Sequence, residues 1–224
     1  MNEKPILFST EMIKAILDGH KTQTRRVIKP QPKEHKFSAM IMDRLFARFF
    51  TSYGDNKPSV EDIKNPYGKP GDLLWVRETW ATVSFFDNLK PSAIPKGKYR
   101  WPVVWYDSHP KSPSSITKCD HQYIGKRRPS IFMPRWASRI TLRVQDVRVE
   151  RVQDITIDDA GEEGCSNVIS GGYDFDIFGE NGDYARHPYI MNFHRLWDSI
   201  NAKRGYSWDS NPWVWVIDFE EVEK

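Results

Sequence analysis

Apolar positions along this chain alternate mostly with the period of a strand. Ile6-Leu7-Phe8 reads as a short strand, and Ser9 or Thr10 then caps a helix whose Met12, Ile13, Ile16 and Leu17 fall on one face. Asp18-Gly19 stops that helix, with Gly19 suited to the left-handed conformation. A turn at Lys69-Pro70-Gly71-Asp72 leads into a strand over 73–81. Leu74, Val76, Glu78 and Trp80 share one face of it, so Glu78 sits in an otherwise apolar row and needs a partner or a purpose. Residues 99–106 predict another strand, and 107–130 a loop ending in Lys126-Arg127-Arg128. In 139–152, Ile140, Leu142 and Val144 alternate, the phase slips at Gln145-Asp146, and Val147 and Val149 resume it, as at a bulge or sharp bend. A short acidic helix starts near Ile157, a Gly-, Asp- and Asn-rich loop covers 164–185, and Pro188 opens a helix closed by Gly205. The last strand, 213–222, puts Trp213, Trp215, Ile217 and Phe219 on one face.

Many strands, few helices and one bent long strand predict an α+β fold, mainly β: a small, partly closed barrel with helices packed across it. Residues 29–70 are rich in Pro, Lys and Asn around one apolar patch, 40–50, and read as a long insertion with room for one helix. The expected organisation is a single domain over 1–224.

Composition narrows the class. At 39% hydrophobic residues, with nine Trp and twelve Phe, the chain has enough for a core. A net charge of +3 does not by itself announce nucleic acid. The charge is uneven, however: residues 21–36, 90–100 and 126–139 are basic, while 154–163 and 218–223 are acidic. Cys119 and Cys165 are far apart, so no disulfide framework is implied and a reducing cytoplasm is the default. No signal peptide and no membrane span are expected. The six histidines show no ligand spacing, so neither a metal nor a cofactor is expected.

The chemistry candidates cluster after the first helix. Lys21, Thr24, Arg25 and Arg26 offer an amine, a hydroxyl and two cations. A lysine acts as a base once desolvation or a neighbouring cation removes its proton, and a threonine hydroxyl attacks once an adjacent base takes its own. Glu78 would ion-pair with Lys21 or shuttle protons. The plain alternative is a Lys–Glu salt bridge beside a threonine that satisfies the local backbone. A second constellation, Arg77-Glu78-Thr79-Trp80 with Met133-Pro134-Arg135-Trp136, combines Trp faces that stack on bases with Arg that binds phosphate; its alternative is core Trp with rim Arg.

Gly19-x-Lys21-x-x-Thr24-x-Arg26 after a short helix, followed by the segment Gly71-Asp72-Leu73-Leu74-Trp75-Val76-Arg77-Glu78-Thr79-Trp80, resembles the ASCH domain family (activating signal cointegrator homology). Further pieces, among them Met133-Pro134-Arg135-Trp136 and Trp208-Asp209-Ser210-Asn211-Pro212-Trp213, are similar to the longer ASCH proteins of phages and prophages. The resemblance implies a PUA-like β-barrel with a cleft between barrel and N-terminal helix, a helix of the C-terminal half packed against it, and insertions at about 33–68, 82–128 and 165–186. The general ASCH pattern has glutamate where this chain has Thr24. A small bacterial branch instead uses lysine, threonine and glutamate to hydrolyse the amide of N4-acetylcytidine. The resemblance thus implies that Thr24 attacks the acyl carbonyl, Lys21 takes its proton and Glu78 assists the leaving amine. Arg25, Arg26, Arg77 and Arg135 would hold anionic parts of the substrate, and Trp80 and Trp136 would line the pocket. The expected partner is a nucleoside, a nucleotide or single-stranded RNA or DNA. Two further expectations stand beside the hydrolase: a non-catalytic RNA- or DNA-binding module, and a phage structural or host-interaction protein.

Overall fold

The computed structural model describes residues 2–32, 38–42, 45–50, 60–95, 104–108, 123–166 and 187–222. In chain order its strands and α-helices are β1 (Glu3–Leu7), α1 (Thr10–Leu17), β2 (Gln23–Val27), β3 (Ser38–Met42), β4 (Phe46–Phe50), β5 (Val60–Lys64), β6 (Leu73–Arg77) and β7 (Trp80–Ala81). They continue with β8 (Trp105–Tyr106), β9 (Thr141–Arg151), α2 (Ile157–Glu162), α3 (Pro188–Asn201) and β10 (Trp213–Glu221). The fold is mixed, with sheets dominating over helices. Among the described residues no sheet closes into a barrel, and no helix is long and apolar enough to cross a membrane. The expected strand residues 99–103, much of the 107–130 loop and nearly all of the 164–185 loop lie outside the described residues.

The chain divides into two compact units. The first comprises Met1–Asp18, Asp72–Arg143 and Glu221–Lys224. In it β1 runs parallel to β6, with Ile6 opposite Val76, and β6 runs antiparallel to the start of β9, with Leu74 opposite Leu142. The Ser9 hydroxyl accepts a hydrogen bond from the Met12 amide at 3.3 Å, which caps α1, and the helix buries Ile13 and Ile16. The strand expected over 73–81 breaks at Glu78 and Thr79 into β6 and β7. Its alternation survives the break, because Leu74, Val76, Glu78 and Trp80 are all buried. Trp80, Ile94, Met133 and Ala137 form a core cluster, joined by half-buried Phe86, Val104, Tyr106 and Trp136.

The second unit comprises Gly19–Gly71 and Val144–Glu220. Here β10 lies between β9 and β2, and it pairs antiparallel with β2: Val216 stands opposite Arg25 and Ile217 opposite Thr24. Ile190, Phe193 and Trp197 of α3 cover one sheet face, packing with Val214 and Val216 and with Val152, Ile155 and Ala160. The phase slip in β9 is visible as buried Val144 followed by buried Val147. The apolar patch 40–50 is not a helix: β3, β4 and β5 form a three-stranded antiparallel sheet. Alternation decides this, since Ala47 and Phe49 point inward while Phe46 and Arg48 point outward, a period a helix cannot satisfy. Phe49 meets the edge of Trp213 with ring centroids 5.4 Å apart.

Candidate functional site

Gly19, at φ +74°, ends α1 in the left-handed region and turns the chain toward Lys21. Lys21 bridges Glu163 through the backbone, and the Thr22 amide donates to the Glu162 carbonyl at 2.9 Å. This short pairing anchors the segment to the end of α2. The Lys21 ammonium then donates to the Glu163 carboxylate (Oε2) at 2.5 Å and to the Glu163 carbonyl at 2.8 Å. The Lys21 side chain is 0% exposed and that of Glu163 3%. Burial pushes the Lys21 ammonium below its ordinary range despite the pull of Glu163, and the Arg26 guanidinium adds to the lowering. A carboxylate partner of Lys21 is therefore Glu163, a residue that the sequence pattern does not single out.

Strand alternation sorts the rest of β2 onto two faces. Gln23 and Arg25 face a dense set of carboxylates. Arg25 Nη2 lies 3.1 Å from Glu150 and 3.0 Å from Asp159, and Nη1 lies 3.8 Å from the second Glu163 oxygen and also donates to the Gln23 amide oxygen. The Gln23 amide nitrogen donates to Asp159 and to Glu162, both at 2.9 Å. Arg148 of β9 joins from the side, at 2.5 Å from Glu150, 2.5 Å from Asp159 and 2.7 Å from Asp218. Asp159 is the hub. Burial alone would raise its carboxyl, but hydrogen bonds from Gln23 and from Thr156, with the Arg25 charge, hold it far below the usual carboxylate range. Thr156 and Asp159 are also a reciprocal cap on α2, so one aspartate serves both helix and network. Glu162, at the edge, is pushed up by burial and by repulsion from Asp218 and Asp159.

Thr24 and Arg26 point to the other face of β2. Thr24 is buried. Burial pushes the Arg26 guanidinium down, Tyr67 and Glu163 pull it back, and Arg204 repels it. The Cys165 thiol, half-buried beside this centre, is pushed up to about 11 by burial and by Glu163, which makes it a poor nucleophile.

In the first unit Glu78 has its own partners. Arg139 Nε donates to one carboxylate oxygen at 3.0 Å and Nη2 to the other at 3.3 Å; the Ser108 hydroxyl also donates to Glu78. Arg139 in turn stacks over the Tyr106 ring at 4.4 Å, and burial pushes the Tyr106 hydroxyl up to about 12. Glu78 is thus a neutralised core carboxylate. Trp80 is fully buried and meets Trp136 edge-on at 6.0 Å. Arg135 forms a bidentate pair with Glu3 at 2.8 and 3.0 Å, and Arg77 lies over the Trp75 ring at 4.5 Å. The aromatic and basic constellation is therefore core Trp with engaged Arg.

The chain matches no family model, no curated protein and no solved structure. Among the described residues no group of three His, Cys, Asp or Glu side chains is arranged to hold a metal. A cavity of about 490 Å³ opens at the start of α2, lined by Ile155, Thr156, Ile157, Asp158 and Ile190; neither Lys21 nor Thr24 lines it. Among the described residues the chemistry-bearing centre is the buried Lys21–Glu163 pair, with Arg26 in electrostatic reach of it.

Proposed function

We propose that this is an ASCH-type protein with a PUA-like core, and that its Lys21 centre hydrolyses the acyl amide on a cytosine-type base. The observation that carries the reading is a fully buried lysine, its ammonium lowered by burial and held by the Glu163 carboxylate, three residues before a buried threonine. Lys21, once its proton has passed to the Glu163 carboxylate, takes the Thr24 proton as Oγ1 attacks the acyl carbonyl. The resulting ammonium, steadied by Glu163, gives its proton to the amine as the C–N bond breaks. Water then hydrolyses the threonyl ester and releases the acid. Glu163 takes the place expected of Glu78.

The cations also limit the substrate. Arg25 sits among carboxylates, Arg135 is paired with Glu3, and Arg77 is stacked on Trp75. Arg26 is the one of the four expected cations that shares a strand face with Thr24.

Acetate release from N4-acetylcytidine tests the reading. Wild type should turn over, Thr24→Ser should retain part of the rate, and Thr24→Ala should lose it by about a hundredfold or more. No turnover by wild type, or equal turnover by Thr24→Ala, sinks it. A second reading, a non-catalytic PUA-like nucleic-acid-binding module, is favoured by the hydrogen bonds from the Lys21 ammonium to the Glu163 carboxylate and carbonyl, which hold it in an ion pair. It requires nucleobase binding without turnover in the same assay.

A further inference from the structure

The cavity at the start of α2 has no part in the chemistry proposed for Lys21. Its volume of about 490 Å³ lies within the range of small-molecule sites. Three isoleucines wall it: Ile155 just before α2, Ile157 in the first turn of α2 and Ile190 in the first turn of α3. Ile155 and Ile190 are buried members of the core that α3 makes with the sheet, and Ile157 packs against that core. The apolar side is thus already held in place by packing, and a ligand entering it has little to order.

The polar lining is Thr156 and Asp158. Thr156 serves the helix: its hydroxyl accepts from the Asp159 amide at 3.1 Å, and its amide donates to the Asp159 carboxylate at 3.1 Å. Asp158 is exposed and, among the described residues, forms no ion pair. Its acidic neighbours differ. Asp159 is taken up by Arg25 and Arg148, and Glu163 by Lys21. Residues 154–163 contain no lysine or arginine. Glu162, one turn along the same helix face, adds a second negative charge that repels Asp158. An anion is disfavoured there by the same charge, and no group of three ligating side chains among the described residues suits a bare metal ion. Apolar walls with one unmatched carboxylate fit a cation that carries its own hydrocarbon.

We propose that this cavity binds a small amphiphilic amine, a primary ammonium on a short hydrocarbon body. The body lies against Ile155, Ile157 and Ile190, and the ammonium pairs with the Asp158 carboxylate. The site goes beyond the hydrolase reading and does not depend on it, since neither Lys21 nor Thr24 lines the cavity.

Saturation-transfer NMR titration of the full chain with hexylamine, butylamine, hexan-1-ol, hexanoate and 1,6-diaminohexane tests this. Hexylamine is an ammonium at neutral pH, like the lysine side chain. It should bind about fivefold tighter than hexan-1-ol, the preference expected of a single solvated ion pair, and that preference should weaken as salt rises. It should bind roughly tenfold tighter than butylamine, through two further buried methylene groups. It should also outbind 1,6-diaminohexane, whose second ammonium would meet the isoleucines, and hexanoate should bind weakest. Asp158→Asn should erase the preference over hexan-1-ol and keep the preference over butylamine, while Asp158→Glu should keep both; the unfolding midpoint of each variant checks its fold. Equal affinities for hexylamine and hexan-1-ol would make the cavity purely apolar, and tighter binding of the diamine would make it a polyamine surface. Either result overturns the proposal, as does binding of none of the ligands or an amine preference that survives Asp158→Asn.

Discussion

At the scale of single residues, the account turns on which carboxylate serves Lys21. Sequence alternation singled out Glu78 because it stands in an apolar row, and that part is correct: it is buried and needs a partner. Its partners are Arg139 and Ser108, 61 and 30 residues away, which no local pattern announces. Glu163 stands 142 residues from Lys21 and sits in an acidic run that reads as a solvated helix face. The readable signal was the Thr156-x-x-Asp159 cap, which fixes where α2 starts and so where its last carboxylate falls. The buried pair also makes a stability prediction. Glu163→Gln leaves a buried ammonium without its counter-charge and should cost about 3–5 kcal/mol, whereas Lys21→Met with Glu163→Leu should recover much of that. Denaturant midpoints of the single and double variants check this; a double variant no more stable than Glu163→Gln contradicts it. Gly125 makes a second case. A Cβ there would clash with the Asp87 carboxylate oxygen and lie 2.8 Å from the Thr82 carbonyl oxygen, so Gly125→Ala should destabilise by about 1–3 kcal/mol. An unchanged thermal midpoint would show that Asp87 gives way freely.

At the scale of elements, the helices were the most legible. Ser9, one of the two expected caps, caps α1, α2 starts at the expected Ile157 behind a Thr156 cap, and Pro188 and Gly205 bracket α3 and its last turn. The same cap makes an element-scale prediction: Thr156→Ala should cost about 1 kcal/mol and lower the thermal midpoint, while Ser9→Ala should cost a similar amount in α1. If Thr156→Ala is neutral, the hydrogen bond from the Asp159 amide to the Thr156 hydroxyl adds nothing to α2. Strands were legible by alternation but not by boundary. Residues 73–81 keep one buried row across a break that the pattern cannot reveal, because the row depends on side chains and the break on backbone pairing. The patch at 40–50 was read as room for a helix because a short apolar run fits both periods. Antiparallel backbone pairing of β3 with β4 decides for strands.

At the scale of the whole molecule, charge is segregated by face rather than by sequence block. The basic segment 21–29 divides along β2, with Arg25 drawn into the carboxylates and Arg26 turned away from them. Blocks of charge in the sequence do not reveal this division, since block composition carries no strand parity. The network also sets an acid limit. Asp159 titrates far below its ordinary value of 3.8, so the stability it contributes is fully present above that value and is lost as pH falls below it. Unfolding followed by tryptophan fluorescence should show a midpoint that falls with pH below about 4, with a shallower fall in Asp159→Asn. An equally steep fall in that variant would move the acid sensitivity elsewhere.

The hydrolase reading makes Lys21 a base and not merely a charge. The most direct measurement is acetate release from N4-acetylcytidine by wild type, Lys21→Arg and Lys21→Met, with folding of each checked by its unfolding midpoint. Turnover by wild type and a loss of about a hundredfold or more in both folded variants is the predicted result. Absence of turnover in wild type, or retention of the rate by Lys21→Arg, contradicts it.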